Sequence, residues 1–112
     1  MMDIKDRIRK SIAEWMVEEY NESLEEALES VQGDVFGVAY CQYDDGKVVV
    51  DEQWMVDLNE GKLYLELNGR EYHAEYYNSL EDMEDAFEYG LDFDELIGEA
   101  DGWVESCKGD FR

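Results

Sequence analysis

The sequence predicts an α+β domain in the order α-β-β-β-β-α-α, and three observations carry that prediction. Apolar residues recur at spacings of three and four across residues 3–31. From Val35 the period drops to two and holds through Tyr77. Helical spacing then returns from Ser79 in a strongly acidic segment. A helix, a run of strands and further helices make a layered fold with the helices on one face of an antiparallel sheet.

In the first segment Ile4, Ile8, Ile12, Trp15 with Met16, Tyr20, Leu24, Ala27 with Leu28, and Val31 form the apolar side. Glu14, Glu18, Glu22, Glu25, Glu26 and Glu29 fall mostly between them, on the wet side. Asn21-Glu22-Ser23 is a break point, because Ser23 followed by Glu26 has capping-box spacing. Gly33 closes the helical stretch.

Residues 35–43 (VFGVAYCQY) and 47–58 (KVVVDEQWMVDL) flank Asp44-Asp45-Gly46, a strong hairpin signal. Val48, Val50, Trp54, Val56 and Leu58 share one parity and define the core side. After Asn59-Glu60-Gly61, residues 62–67 place Leu63, Leu65 and Leu67 on one face. Asn68-Gly69 signals a type I′ turn into residues 70–77. There Tyr72, Ala74 and Tyr76 alternate with Glu71, His73 and Glu75, which reads His73 as a histidine on the solvent face. Together these runs predict a four-stranded antiparallel meander.

Ser79 restarts a helix, with Glu81 and Asp82 in its first turn, where carboxylates complement the helix dipole. Leu80, Met83 and Phe87 form its apolar stripe, and Gly90 stops it. A further helix over about 92–106 would use Phe93, Leu96, Ile97, Ala100 and Val104. With no Pro, linker or low-complexity tract, residues 1–112 read as one domain.

Charge bounds the function. The chain has 31 Asp and Glu against nine Lys and Arg, a net charge of -22 and a pI near 4.1. Lys5, Arg7, Arg9 and Lys10 supply four of those bases, so the chain beyond residue 10 is more acidic still. Hydrophobic content of 45% with three Trp and eight Tyr keeps the chain in the folded class despite this charge. Such a body repels nucleic acid and anionic membrane, which leaves basic protein surfaces as its natural partners. No apolar run reaches membrane-span length and the N-terminus lacks a signal-peptide segment, so the expectation is a cytoplasmic protein. Cys41 and Cys107 lack CxxC spacing and read as ordinary thiols, with a disulfide between them left open.

Motifs for chemistry are scarce. His73 between Glu71 and Glu75 is the only arrangement that suggests acid–base work, since i±2 neighbours on a regular strand share a face. No nucleophile elbow or phosphate loop accompanies it, and the expectation is a protein without catalytic residues. A calcium loop starting at Asp85 fails, because Phe87, Tyr89 and Leu96 stand where oxygen ligands belong. Nothing in the spacing of Cys41, His73 and Cys107 supports zinc. No metal and no cofactor are expected.

The segment from Ser79 to Asp101 carries ten carboxylates and no base. Glu81, Asp85, Glu88, Asp92, Glu95 and Glu99 follow one another by four, three, four, three and four, which makes one row on a helical surface. Like charges at that spacing repel by a few tenths of a kcal/mol per pair, a cost that a mixed Lys/Glu solubility face avoids. A row of this kind resembles the phosphates of a duplex, which present one charge per ~1.7 Å of axis. The candidate partner-binding residues are this row together with Asp82, Asp94, Asp101 and Tyr89. The competing reading is an acidic face that serves solvation alone. Tyr40, Tyr43, Trp54, Tyr64, Tyr72, Tyr76, Tyr77, Tyr89 and Trp103 exceed what one small core buries, and exposed aromatics are typical interface anchors.

The stretch MMDIKDRIRKSI, the hairpin LNGREYHAEYY and the acidic helices of residues 79–105 give the chain a layout that resembles small phage-encoded inhibitors of bacterial defence. Type II anti-CRISPR proteins and antirestriction DNA mimics are the groups concerned. The resemblance is one of layout and charge, with one strand more here. It implies occlusion of a basic nucleic-acid-binding groove by carboxylates of the acidic helices standing in for phosphates. Two other classes share the composition: an immunity protein or antitoxin that neutralises a basic toxin, and an acidic adaptor or chaperone for a basic client. The bases Lys5, Arg7, Arg9 and Lys10 have the charge to pair with the acidic helices, either within one chain or across a homodimer.

Overall fold

The computed structural model describes residues 2–89, 102–106 and 109, and the side chains of all of these except 88 and 89. Helix α1 spans Ile4–Tyr20 and α2 spans Leu24–Ser30. Four strands follow, β1 Val35–Asp44, β2 Val49–Asp57, β3 Lys62–Leu67 and β4 Arg70–Tyr76, and α3 spans Leu80–Tyr89. Residues 102–106 are helical.

The expected break between α1 and α2 is present, and its cause is local. Asn21 adopts a left-handed conformation (φ +56°) that ends α1. Ser23 then opens α2, its Oγ accepting a hydrogen bond from the Glu26 backbone N–H at 3.2 Å. Asp3 does the same for α1, accepting from the Asp6 N–H at 2.9 Å. Each side-chain oxygen satisfies one of the donors that a helix start leaves unpaired.

The strands form one antiparallel sheet in the order β1-β2-β3-β4. The β1–β2 connection is a four-residue loop, two residues longer than an Asp-Gly type I′ turn. Asp44 Oδ1 accepts from the Gly46 N–H, and Asp45 Oδ1 accepts from the N–H groups of Lys47 and Val48, all within 2.9 Å. Gly46 takes φ +85°, a value that a Cβ would strain. The β3–β4 turn keeps the expected form, with Asn68 at φ +51° and Gly69 at φ +83°. Asn68 also ties this turn to β2, accepting from the Asp51 N–H at 2.9 Å and donating to the Val49 carbonyl at 3.3 Å.

One face of the sheet carries the core. Val50, Trp54 and Val56 of β2, Leu58 after it, and Leu63, Leu65 and Leu67 of β3 are buried, as their parity predicts. They belong to one cluster with Ile8, Ile12 and Met16 of α1, Ala27 of α2, Met83 of α3 and Val104. Full burial of one such side chain contributes about 1.5–3 kcal/mol. Glu52 falls on the same parity and is only 3% exposed, between Cys41 of β1 and Leu67 of β3.

Strand β4 departs from the expected alternation. Leu65 pairs with His73 but Glu66 pairs with Glu71, so Tyr72 is an extra, bulged residue. The bulge puts His73 and Glu75 opposite Leu65 and Leu63, on the core side of the sheet. Tyr76 pairs with Lys62 on the opposite face and is 66% exposed. His73 is therefore not a solvent-face residue. Its ring lies 4.9 Å from that of Trp103 and 6.4 Å, edge-on, from that of Trp54.

Candidate partner-binding site

Helix α3 starts where Ser79 Oγ accepts from the Asp82 N–H at 3.1 Å. Its spacing then sorts the side chains. Met83 is fully buried, Leu80 and Phe87 pack against the core, and Glu81, Asp82 and Asp85 face solvent. Glu81 and Asp85 are the members of the predicted row whose side chains the structure describes, and Asp82 is the further candidate residue among them. Glu88 and Tyr89 stand in the last turn of α3. Asp92, Asp94, Glu95, Glu99 and Asp101 lie outside the described residues.

Another carboxylate of the helix, Glu84, has a different surrounding. Its side chain is 15% exposed, and Arg7 Nε of α1 donates to its Oε2 at 2.7 Å. This bond, with the charges of Glu84, Glu81 and Asp3 adding to it, raises the Arg7 guanidinium above its ordinary value. Pairing of the first helix with an acidic helix thus occurs within one chain. Arg9 is used elsewhere, donating to Asp6 at 2.6 Å, to Asp34 at 2.9 Å and to the Gly33 carbonyl at 2.9 Å. Lys5 reaches Asp34 at 3.5 Å and Asn59 at 3.4 Å. The acidic surface also extends beyond α3, since Glu14, Glu18 and Glu19 of α1 and Glu25, Glu26 and Glu29 of α2 are exposed.

The sheet face away from the core is aromatic as well as acidic. Lys62 Nζ stands 4.7 Å from the Tyr64 ring centroid and 5.8 Å from that of Tyr76. It bonds Glu71 at 3.0 Å and Glu60 at 3.3 Å, and the Glu71 bond raises the Lys62 ammonium well above its ordinary value. Tyr40, 61% exposed on β1, donates its hydroxyl to Asp51 Oδ1 at 2.9 Å. Gln42 and Tyr40 together hold the Asp51 carboxyl below its usual range, and the Asp51 bond raises the Tyr40 phenol.

The suggested acid–base trio does not assemble. The Tyr72 bulge puts Glu71 on the outer face, bound to Lys62, while His73 and Glu75 lie across the sheet on the core side with Nε2 and Oε1 3.8 Å apart. The Asp44 and Asp45 oxygens that superficially resemble calcium ligands cap their own loop. Among the described residues no group of three His, Cys, Asp or Glu is placed to hold a metal ion, and Cys107 lies outside them. No described helix is long and apolar enough to cross a membrane.

One polar residue takes a place that spacing alone did not suggest. Glu22, between the αL residue Asn21 and the cap Ser23, lines a cleft beside β1 and has its Oε2 shielded from solvent. The signal available in the sequence was its position inside the break.

No family model matches the chain, and neither the curated proteins nor the solved structures give a match.

Proposed function

We propose that this chain is a non-catalytic binding protein that blocks the nucleic-acid groove of a basic partner, presenting α3 carboxylates in place of phosphates. The observation that carries the proposal is the sorting of α3. Glu81, Asp82 and Asp85 face solvent with no base on their helix, while Glu84 is neutralised by Arg7. Burial of Met83 and the Arg7 bond hold the helix against α1, so the charges sit on a fixed support. Preorganised charge of one sign steers association and selects partners of opposite sign. In this reading a second acidic helix carries Asp92, Asp94, Glu95, Glu99 and Asp101, ends in the helical segment 102–106, and extends the row.

The test is inhibition of a panel comprising a guide-RNA-directed nuclease, restriction enzymes and basic nuclease toxins, in competition with duplex DNA. Inhibition that duplex DNA relieves, that weakens steeply with salt, and that Glu81→Gln, Asp82→Asn and Asp85→Asn together abolish supports mimicry. Inhibition indifferent to salt, or unchanged in the triple variant, overturns it. Inhibition of a toxin alone assigns the immunity reading instead.

A further inference from the structure

At the end of α1 remote from Arg7, a cleft of about 250 Å³ opens between the helix terminus and β1, lined by Met16, Tyr20, Glu22, Gly37, Val38 and Tyr40 among others. Tyr20 is 43% exposed and Tyr40 is 61% exposed, so both offer ring surface to an incoming group. Met16 and Val38 are buried and give the cleft an apolar floor. Glu22 supplies the charge: its Oε2 is shielded from solvent and has no hydrogen-bond partner among the described residues. A shielded carboxylate oxygen without a donor is costly and calls for a counter-group. Among the described residues none is brought, since no base lines the cleft.

We propose that this cleft receives one arginine side chain of a protein partner. Three features select that ligand. The volume lies below the ~300–1,000 Å³ of small-molecule and cofactor sites, which favours a single side chain. An apolar floor ending at a carboxylate matches an alkyl stem ending in a cation. Two tyrosines at the rim match a planar, weakly hydrated guanidinium, which stacks on aromatic rings and binds carboxylates in a fork, better than a compact ammonium. The proposal goes beyond the α3 reading. Tyr20 is thirteen residues from Arg7, about 20 Å along the helix axis, so the cleft and the α3 carboxylates are separate sites.

The probe is L-argininamide, titrated into the intact protein and followed by the backbone amide spectrum, with citrulline amide as the neutral isostere and lysinamide as the second cation. Saturable shifts confined to the amides that line the cleft, those of Tyr20, Glu22, Ser30 and Gly37–Tyr40 among them, are expected for argininamide. Binding should be roughly tenfold weaker for citrulline amide, and by a similar factor in Glu22→Gln, as expected for loss of one charge-assisted contact. Tyr40→Ala should weaken it as well. The triple substitution Glu81→Gln, Asp82→Asn and Asp85→Asn should leave argininamide binding unchanged, which separates failure here from failure of the mimicry reading. Non-saturating shifts spread over all acidic surfaces, equal binding of citrulline amide, or tighter binding of lysinamide would each overturn the assignment. The citrulline comparison uses unaltered protein and decides the question even if Glu22→Gln disturbs the connector.

Discussion

Arg7 Nε and Glu84 Oε2 meet at 2.7 Å, and through this pair the basic start of α1 holds the acidic helix α3. Arg7→Ala would leave the Glu84 carboxylate, 15% exposed, without its counter-charge. Glu84→Gln leaves a neutral amide that needs none. The expected outcome in thermal unfolding is a Tm lowered by a few degrees for Arg7→Ala and by less for Glu84→Gln. Equal losses would show that the pair contributes no more than side-chain packing.

Met83 is the buried anchor of α3. Met83→Ala should cost about 2–5 kcal/mol in denaturant unfolding, through lost transfer energy and the cavity left behind. Asp82→Asn, on the exposed side of the same helix, should stay within about 0.5 kcal/mol. A small loss at Met83 would mean that α3 is not docked on the core.

Asn68 serves both the turn and the sheet, with a positive φ and two side-chain bonds to β2. Asn68→Gly keeps the backbone conformation and removes the bonds, whereas Asn68→Ala removes both. Losses of about 1 kcal/mol for Gly and about 2 kcal/mol for Ala are expected from equilibrium unfolding.

Asp51 is held below the ordinary carboxylate range by bonds from Gln42 first and Tyr40 second. A group depressed on folding stabilises the fold above its unfolded pKa, near 3.9, and that stabilisation is lost as pH falls through the folded value. A carboxyl-carbon titration should therefore show the Asp51 midpoint rise in Tyr40→Phe, and rise further in Gln42→Ala. At the alkaline end, the Asp51 bond raises Tyr40, and burial raises Tyr64 and Tyr77. Their contribution is complete below pH 10 and fades as pH climbs through the raised values, so unfolding should become easier there.

Self-repulsion at a net charge of -22 predicts that salt stabilises the fold. The Debye length falls from about 30 Å at 0.01 M to about 3 Å at 1 M. Tm should rise by several degrees between those limits in NaCl. A flat profile would mean that the acidic faces are too far apart to interact.

The elements that the sequence made legible are those governed by short-range chemistry. Ser23 and Glu26 announced the α1–α2 break, Asn68-Gly69 announced the β3–β4 turn, and the parity of β2 and β3 announced the core face. That same parity covered Glu52, whose burial was readable from Trp54 and Val50 on either side of it. The facing of β4 was hidden, because one bulged residue shifts everything after it without changing the composition of the run. The partner of Arg7 was hidden too, since Glu84 is 77 positions away and several acids compete for one base. At the candidate site the outward sorting of Glu81, Asp82 and Asp85 followed from helical spacing. The shielding of the Glu22 Oε2 did not, because it depends on where α1 ends against β1.

The extra residue Tyr72 divides β4 into two lengths that are out of phase with each other. Drawing Tyr72 into regular pairing opposite Leu65 would therefore reverse the sidedness of everything up to Tyr76. Losing Tyr72 would not do so, because Glu71 would stay opposite Glu66 and His73 opposite Leu65 in unbroken register, and the imidazole would keep its place between Trp54 and Trp103. The aromatic contact thus tolerates removal of the bulged residue but not its entry into the ladder.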